Sequence, residues 1–167
     1  MATYIELHAR SAFSFLRGAA TPEELIATGA ELKMPAMALL DNDGVYGSAR
    51  FHLAAQKLGI KAHIGAEIAV SSFRFQGSSP KSKTPGHSRF QNPEFRFRIP
   101  KSVITLPLLV RNRTGYQNLC RLITLMKLRV PKHAKPGECA VTPEELAEYA
   151  EGLVCLTGGD EIGRAHV

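Results

Sequence analysis

Apolar and polar positions alternate along this chain at two periods, and the changes between them mark its elements. Tyr4-Ile5-Glu6-Leu7-His8 alternates at period two and predicts a strand. Ala9 to Gly18 reads as a loop carrying Arg10, Ser11, Ser14 and Arg17. Thr21-Pro22-Glu23-Glu24 then opens a helix: Thr can cap it, Pro suits its first position, and Glu24 completes a capping box. Leu25-Ile26, Ala30 and Leu32 supply its predicted buried face. The apolar run Met34 to Leu40, bounded by Pro35 and Asp43-Gly44, predicts a buried strand. Ala49, Phe51-His52, Ala54-Ala55 and Leu58 fall at helical spacing, Gly59 stops that helix, and Ala62 to Val70 is again strand-like. Strand, helix, strand at this length predicts a βαβ unit and a parallel sheet. Ligands in such sheets gather beyond the carboxyl ends of the strands. Asp41, Asp43 and Glu67 fall at or near those ends, so three carboxylates are expected to converge there.

The rhythm breaks between Ser71 and Pro100. Phe73-Arg74-Phe75 and Phe95-Arg96-Phe97-Arg98 alternate at the strand period and flank a Pro/Gly/Ser/Lys-rich centre from Gln76 to Asn92, which predicts a two-stranded ribbon. Val103 to Val110 is a strongly apolar strand in which Pro107 argues for an edge or a bulge. Thr114 to Met126 is an amphipathic helix with Tyr116, Leu119-Cys120, Ile123 and Met126 on its expected inner face. A basic linker, Lys127 to Gly137, leads to Thr142-Pro143-Glu144-Glu145-Leu146, which repeats the helix start at positions 21–25. Leu153 to Gly159 reads as a last strand running into a glycine turn. The sum is an α/β chain of about five sheet strands and four helices plus the ribbon. A closed barrel of this class needs about 250 residues, so 167 residues predict an incomplete one.

Charge sharpens one part of this picture. The net charge of +6 resides between Phe73 and Lys101, where seven bases meet the single acid Glu94; the other 14 bases and 14 acids cancel. Arg74, Arg96 and Arg98, interleaved with Phe, could hold single-stranded nucleic acid by stacking and phosphate pairing, although a half-buried ribbon shows the same alternation. No apolar run approaches the ~20 residues of a membrane span, and no signal-peptide pattern opens the chain. Cys120, Cys139 and Cys155 are odd in number and lack metal spacing; they read as reduced thiols of a cytoplasmic protein. No Gly-rich phosphate loop, Ser-His-Asp set or dinucleotide fingerprint occurs.

Several blocks, in order, resemble the N-terminal PHP (polymerase and histidinol phosphatase) domain of bacterial C-family DNA polymerases, the DNA polymerase III alpha subunit family, in its error-prone branch. They are Tyr4-Ile5-Glu6-Leu7-His8, Ser11-Ala12-Phe13-Ser14-Phe15-Leu16, Pro22-Glu23-Glu24-Leu25, Asp41-Asn42-Asp43-Gly44-Val45-Tyr46-Gly47, Arg50-Phe51-His52, Gly65-Ala66-Glu67, Gly115-Tyr116-Gln117-Asn118-Leu119-Cys120-Arg121-Leu122 and Leu153-Val154-Cys155-Leu156-Thr157-Gly158-Gly159. The resemblance implies a distorted (β/α)7 barrel, here incomplete over residues 1–160 with the basic β-ribbon insertion at 73–101. Residues 161–167 depart from the pattern and are expected to be a non-native tail.

The resemblance also implies a metal cluster at the barrel mouth, which in active members hydrolyses phosphoester bonds, and this chain departs from it. The His-x-His motif is here His8-Ala9-Arg10, the family acid before the next glycine is Arg17, and the Thr-Asp-His-type motif is Leu40-Asp41-Asn42. A family histidine aligns with Thr105. His8, Asp41 and Glu67 remain as vestigial metal candidates, with Arg10 and Arg17 expected to replace metal by pairing with Glu67 and Asp41. The expectation is a catalytically inert scaffold of an error-prone DNA-directed DNA polymerase, a nucleotidyltransferase of replication and repair. It binds no cofactor itself; the parent uses Mg, and its partners are DNA and the rest of the polymerase chain. The competing readings are a metal-dependent phosphoesterase or 3′-5′ exonuclease, and a nucleic-acid-binding module.

Overall fold

The structure is a computed structural model that describes residues 4–73, 100–130 and 139–156. Its strands are β1 (Glu6–Ala9), β2 (Ala36–Asn42), β3 (Lys61–Phe73), β4 (Pro100–Val110) and β5 (Leu153–Cys155). Its helices are α1 (Pro22–Glu31), α2 (Ser48–Leu58), α3 (Arg113–Arg129) and α4 (Pro143–Glu148). The strands form one open sheet in the order β1-β2-β3-β4-β5. The ribbon expected around Arg74, Arg96 and Arg98 and the segment 161–167 lie outside the described residues.

The sheet is mixed rather than parallel. β1, β2 and β3 pair in parallel, whereas β3–β4 and β4–β5 are antiparallel. The helix that joins β2 to β3 enforces a parallel crossover. The ends of β3 and β4 meet as the pair Phe73↔Pro100, so β4 returns alongside β3. Pro107 is also not at an edge, since β4 has a neighbour on each side. Pro107 is opposite Glu67, and its carbonyl accepts from Leu156 N, so its backbone faces β5. β5 pairs only from Leu108 onward, which leaves the missing N–H outside both ladders.

Both Thr-Pro-Glu-Glu segments form capping boxes, at Thr21 with Glu24 and at Thr142 with Glu145. Gly59 closes α2 in the left-handed conformation, φ 71°. Two clusters make the core. Ile26, Met37, Leu39, Phe51, Ala55 and Ile60 pack where α1 and α2 cover β2. Ala66, Ile68, Val70, Leu108, Leu119, Leu122, Met126 and Val141 pack where α3 covers β3 and β4. The inner face of α3 is Gly115, Asn118, Leu119, Leu122 and Met126, with Tyr116 40% exposed, so the helix is rotated by part of a turn from the expected face. The close contact at its start sets that rotation. A Cβ on Gly115 would stand 1.9 Å from the Gly152 carbonyl oxygen, and Asn118 Nδ2 donates to Glu151 O at 3.0 Å. α3 also runs on to Arg129, into the expected linker.

Candidate functional site

The site lies where β2 runs out alongside β3. Successive side chains on a strand point to opposite faces. Met37 and Leu39 pack beneath α1 and α2, so Asp41 continues that row on the helix-covered face. On β3, Ala66, Ile68 and Val70 face α3, which turns Glu67 to the other face. The parallel register pairs Asp41 with Ala66 and Asn42 with Glu67. Asp41 and Glu67 are therefore neighbours in register but point away from each other, and the expected convergence of carboxylates does not occur. Glu67 also lies within β3 rather than at its end; what ends there is its neighbour β2.

Glu67 is 1% exposed and is met from β1 and the loop that follows it. His8 Nε2 and Arg10 Nη2 both reach Glu67 Oε1. Ala9 packs into the helix-side core, which sends the adjacent His8 to the Glu67 face. Arg17 stands farther off: its Nη1 is 3.9 Å from Glu67 Oε2 and 3.5 Å from Asn42 Oδ1. Glu67 Oε2 is buried and accepts no hydrogen bond among the described residues.

Asp41, also 1% exposed, takes neutral donors instead of guanidiniums. Its Oδ1 accepts from Ser11 N and Ser11 Oγ at 2.9 Å and from Ser14 Oγ at 2.7 Å. Ser14 Oγ also accepts from Asn42 N at 3.0 Å. The carboxylate thus fastens the β1–α1 loop to the end of β2 and holds Arg10 and Arg17 at the mouth. The two serines carry no catalytic spacing, and only their place in a loop opposite an aspartate could have marked them. Asp43 turns the chain at φ 51°, the left-handed geometry that Asp tolerates. Its Oδ1 accepts from Ala69 N at 3.3 Å. Burial pushes the Asp43 carboxyl above its ordinary value, against the Ala69 N–H, Lys127, Asn42 and Arg17, which pull it down.

Thr105, where the family carries a histidine, is opposite Ala69 on β4, and of the other histidines His63 is half-buried within β3. His52 is exposed on α2. The three cysteines are free thiols. A divalent cluster needs several imidazole and carboxylate ligands directed at one point. Among the described residues no three His, Cys, Asp or Glu side chains converge in that way. At Glu67 the place beside the carboxylate is taken by the Arg10 guanidinium, so the described residues do not fit a metal cluster.

The chain spans only a small share of the curated proteins it matches. It is 34% identical to the error-prone DNA polymerase of Anaeromyxobacter sp. (strain K), over 96% of this chain and 13% of that protein. It is 37% identical to that of Mycolicibacterium paratuberculosis, over 80% of this chain and 10% of that protein. The Burkholderia mallei enzyme is 34% identical over 93% of this chain and 12% of its own length. Among solved structures, a protein from Bifidobacterium adolescentis described as a candidate metal-dependent phosphoesterase superposes with a TM-score of 0.50 at 14% identity. That superposition covers 77% of this chain and 34% of that one, and it speaks to the fold alone. No described helix is long and apolar enough to cross a membrane. The PHP domain family matches residues 6–166, and the chain belongs to that family.

Proposed function

We propose that this chain is the PHP domain of an error-prone DNA-directed DNA polymerase and that the domain is a catalytically inert scaffold. The observation that carries this reading is the arrangement around Glu67. A buried carboxylate needs compensating charge. Here the Arg10 guanidinium of the same chain supplies it, at the same Oε1 that His8 Nε2 reaches. A hydrolytic metal centre must keep open coordination positions for water and substrate; a covalently tethered cation that fills the place offers none.

The finer parts of the reading follow from the family. The open sheet is a portion of a distorted barrel, and the basic segment 73–101 is a β-ribbon insertion in it. The parent polymerase is cytoplasmic, uses Mg, acts on DNA in replication and repair synthesis, and packs against this domain. The competing phosphoesterase or 3′-5′ exonuclease reading makes the opposite prediction. Incubated with Mn²⁺ or Zn²⁺ and bis-p-nitrophenyl phosphate, the chain is expected to hydrolyse no faster than its Glu67→Gln variant. Turnover that this substitution abolishes would establish the hydrolase and refute the scaffold.

A further inference from the structure

The β1–α1 loop is held from two sides, and only the inner hold is buried. Ser11 and Ser14 turn inward to Asp41. Phe13, between them, is 43% exposed, and Arg50 Cζ on α2 lies 5.7 Å from its ring centroid. The same guanidinium is gripped at its edge by α1. Arg50 Nε and Nη2 donate to Glu23 Oε1 and Oε2 at 2.7 and 2.8 Å. Glu23 and Arg50 stand in the first turns of α1 and α2. Both helices are anchored in one core cluster, through Ile26, Phe51 and Ala55. Three segments that are separate in sequence therefore meet at one cation.

The geometry decides how Arg50 acts. A guanidinium is planar, and two parallel hydrogen bonds to one carboxylate fix its plane. Its face is left for an aromatic ring. The hydrogen bonds from Arg50 hold the Glu23 carboxyl below its ordinary value, so the pair is charged at neutral pH. Lysine keeps the charge but has neither the fork nor the flat face. The Arg50 and Glu23 side chains are 52% and 45% exposed. A clasp made of exposed groups opens at small cost, whereas opening the hold on Asp41 strands buried donors.

We propose that Arg50 is an outer latch: a positioning residue that, braced on Glu23, holds Phe13 and so keeps the β1–α1 loop, with Arg10 and Arg17, closed at the mouth. Releasing the latch lets the loop open on its own while α1 and α2 stay folded. The latch works whether or not the Glu67 centre holds metal, so it does not stand or fall with the scaffold reading.

Amide hydrogen exchange of the full chain, read residue by residue by NMR, tests this. The loop supplies its own probes: Ala12 N donates to Ala20 O, Ser14 N to Ser11 O, and Arg17 N and Gly18 N to Ser14 O. In the wild type these four amides are expected to exchange faster than the slowest core amides, because the loop opens locally. Arg50→Ala is expected to speed them roughly 3- to 30-fold, the combined loss of an exposed ion pair and a cation–π contact. Phe13→Leu keeps an apolar side chain and removes the ring; it is expected to speed them roughly 2- to 5-fold. Arg50→Lys is expected to restore less than half of the lost protection on a logarithmic scale. A pair that merely steadied α1 on α2 would speed the slowest core amides and leave these four at wild-type rates, since loop opening would not break it. That result would overturn the proposal. Full protection in Arg50→Lys would overturn it as well, as would wild-type loop amides that exchange only as slowly as the core.

Discussion

Replacing Arg10 with Ala is expected to cost about 3 kcal/mol of stability at neutral pH, measured by urea denaturation. The substitution leaves Glu67, 1% exposed, with His8 as its one close ionisable neighbour among the described residues besides the distant Arg17. Removing one partner of a buried pair strands the other charge, and that costs about 3–5 kcal/mol. The lower end applies because the Arg10 side chain keeps 29% of its exposure. Arg10→Met separates charge from packing, because it keeps an unbranched apolar stem and removes the guanidinium. It should lose nearly as much stability as Arg10→Ala; a variant as stable as the wild type would mean that Arg10 acts through packing alone.

Asp41→Ala is expected to be of similar size, about 3 kcal/mol, for a different reason. It removes the acceptor for Ser11 N, Ser11 Oγ and Ser14 Oγ, with Ser11 0% and Ser14 1% exposed. Each buried donor left without an acceptor costs about 1–3 kcal/mol, partly recovered if the loop opens to water. Opening would carry Arg10 away from Glu67, so the loss should be less than additive with that of Arg10→Ala. Asp41→Asn keeps one acceptor oxygen and should cost less than half as much. A double-mutant cycle by denaturation measures the coupling; strict additivity would show that the loop tether and the Glu67 pair are independent.

The elements were legible in the sequence where a local signal fixes them. Thr21 and Glu24, Thr142 and Glu145, and Gly59 each satisfy a backbone requirement within a few residues, and the structure uses them so. Faces were less legible. Met37 to Leu40 and Ala66 to Val70 are apolar at every position but Glu67, because β2 and β3 are covered on both sides. With no alternation to read, nothing in the sequence could show that Asp41 and Glu67 point to opposite faces. The return of β4 was hidden for a related reason. Antiparallel pairing follows from what connects two strands, and the alternation after Phe73 reads as a ribbon of its own rather than as the connection between two sheet strands. On α3 the 3.6-residue period was right, but two adjacent apolar stripes competed. The backbone contact between Gly115 and Gly152, a tertiary fact, chose the stripe that includes Asn118 and Leu122. At the mouth, residue types placed His8, Arg10 and Glu67 together, while the role of Ser11 and Ser14 in holding Asp41 appeared only with the coordinates.

Equilibrium titration of the wild-type chain with Mn²⁺ and with Zn²⁺, followed by quantification of retained metal, tests the replacement of metal by Arg10 most directly. If the Arg10 guanidinium stands where a cation would, no stoichiometric binding occurs at Glu67, and Glu67→Gln leaves the metal content unchanged. One or more tightly held equivalents per chain, lost in His8→Ala or Glu67→Gln, would contradict that replacement.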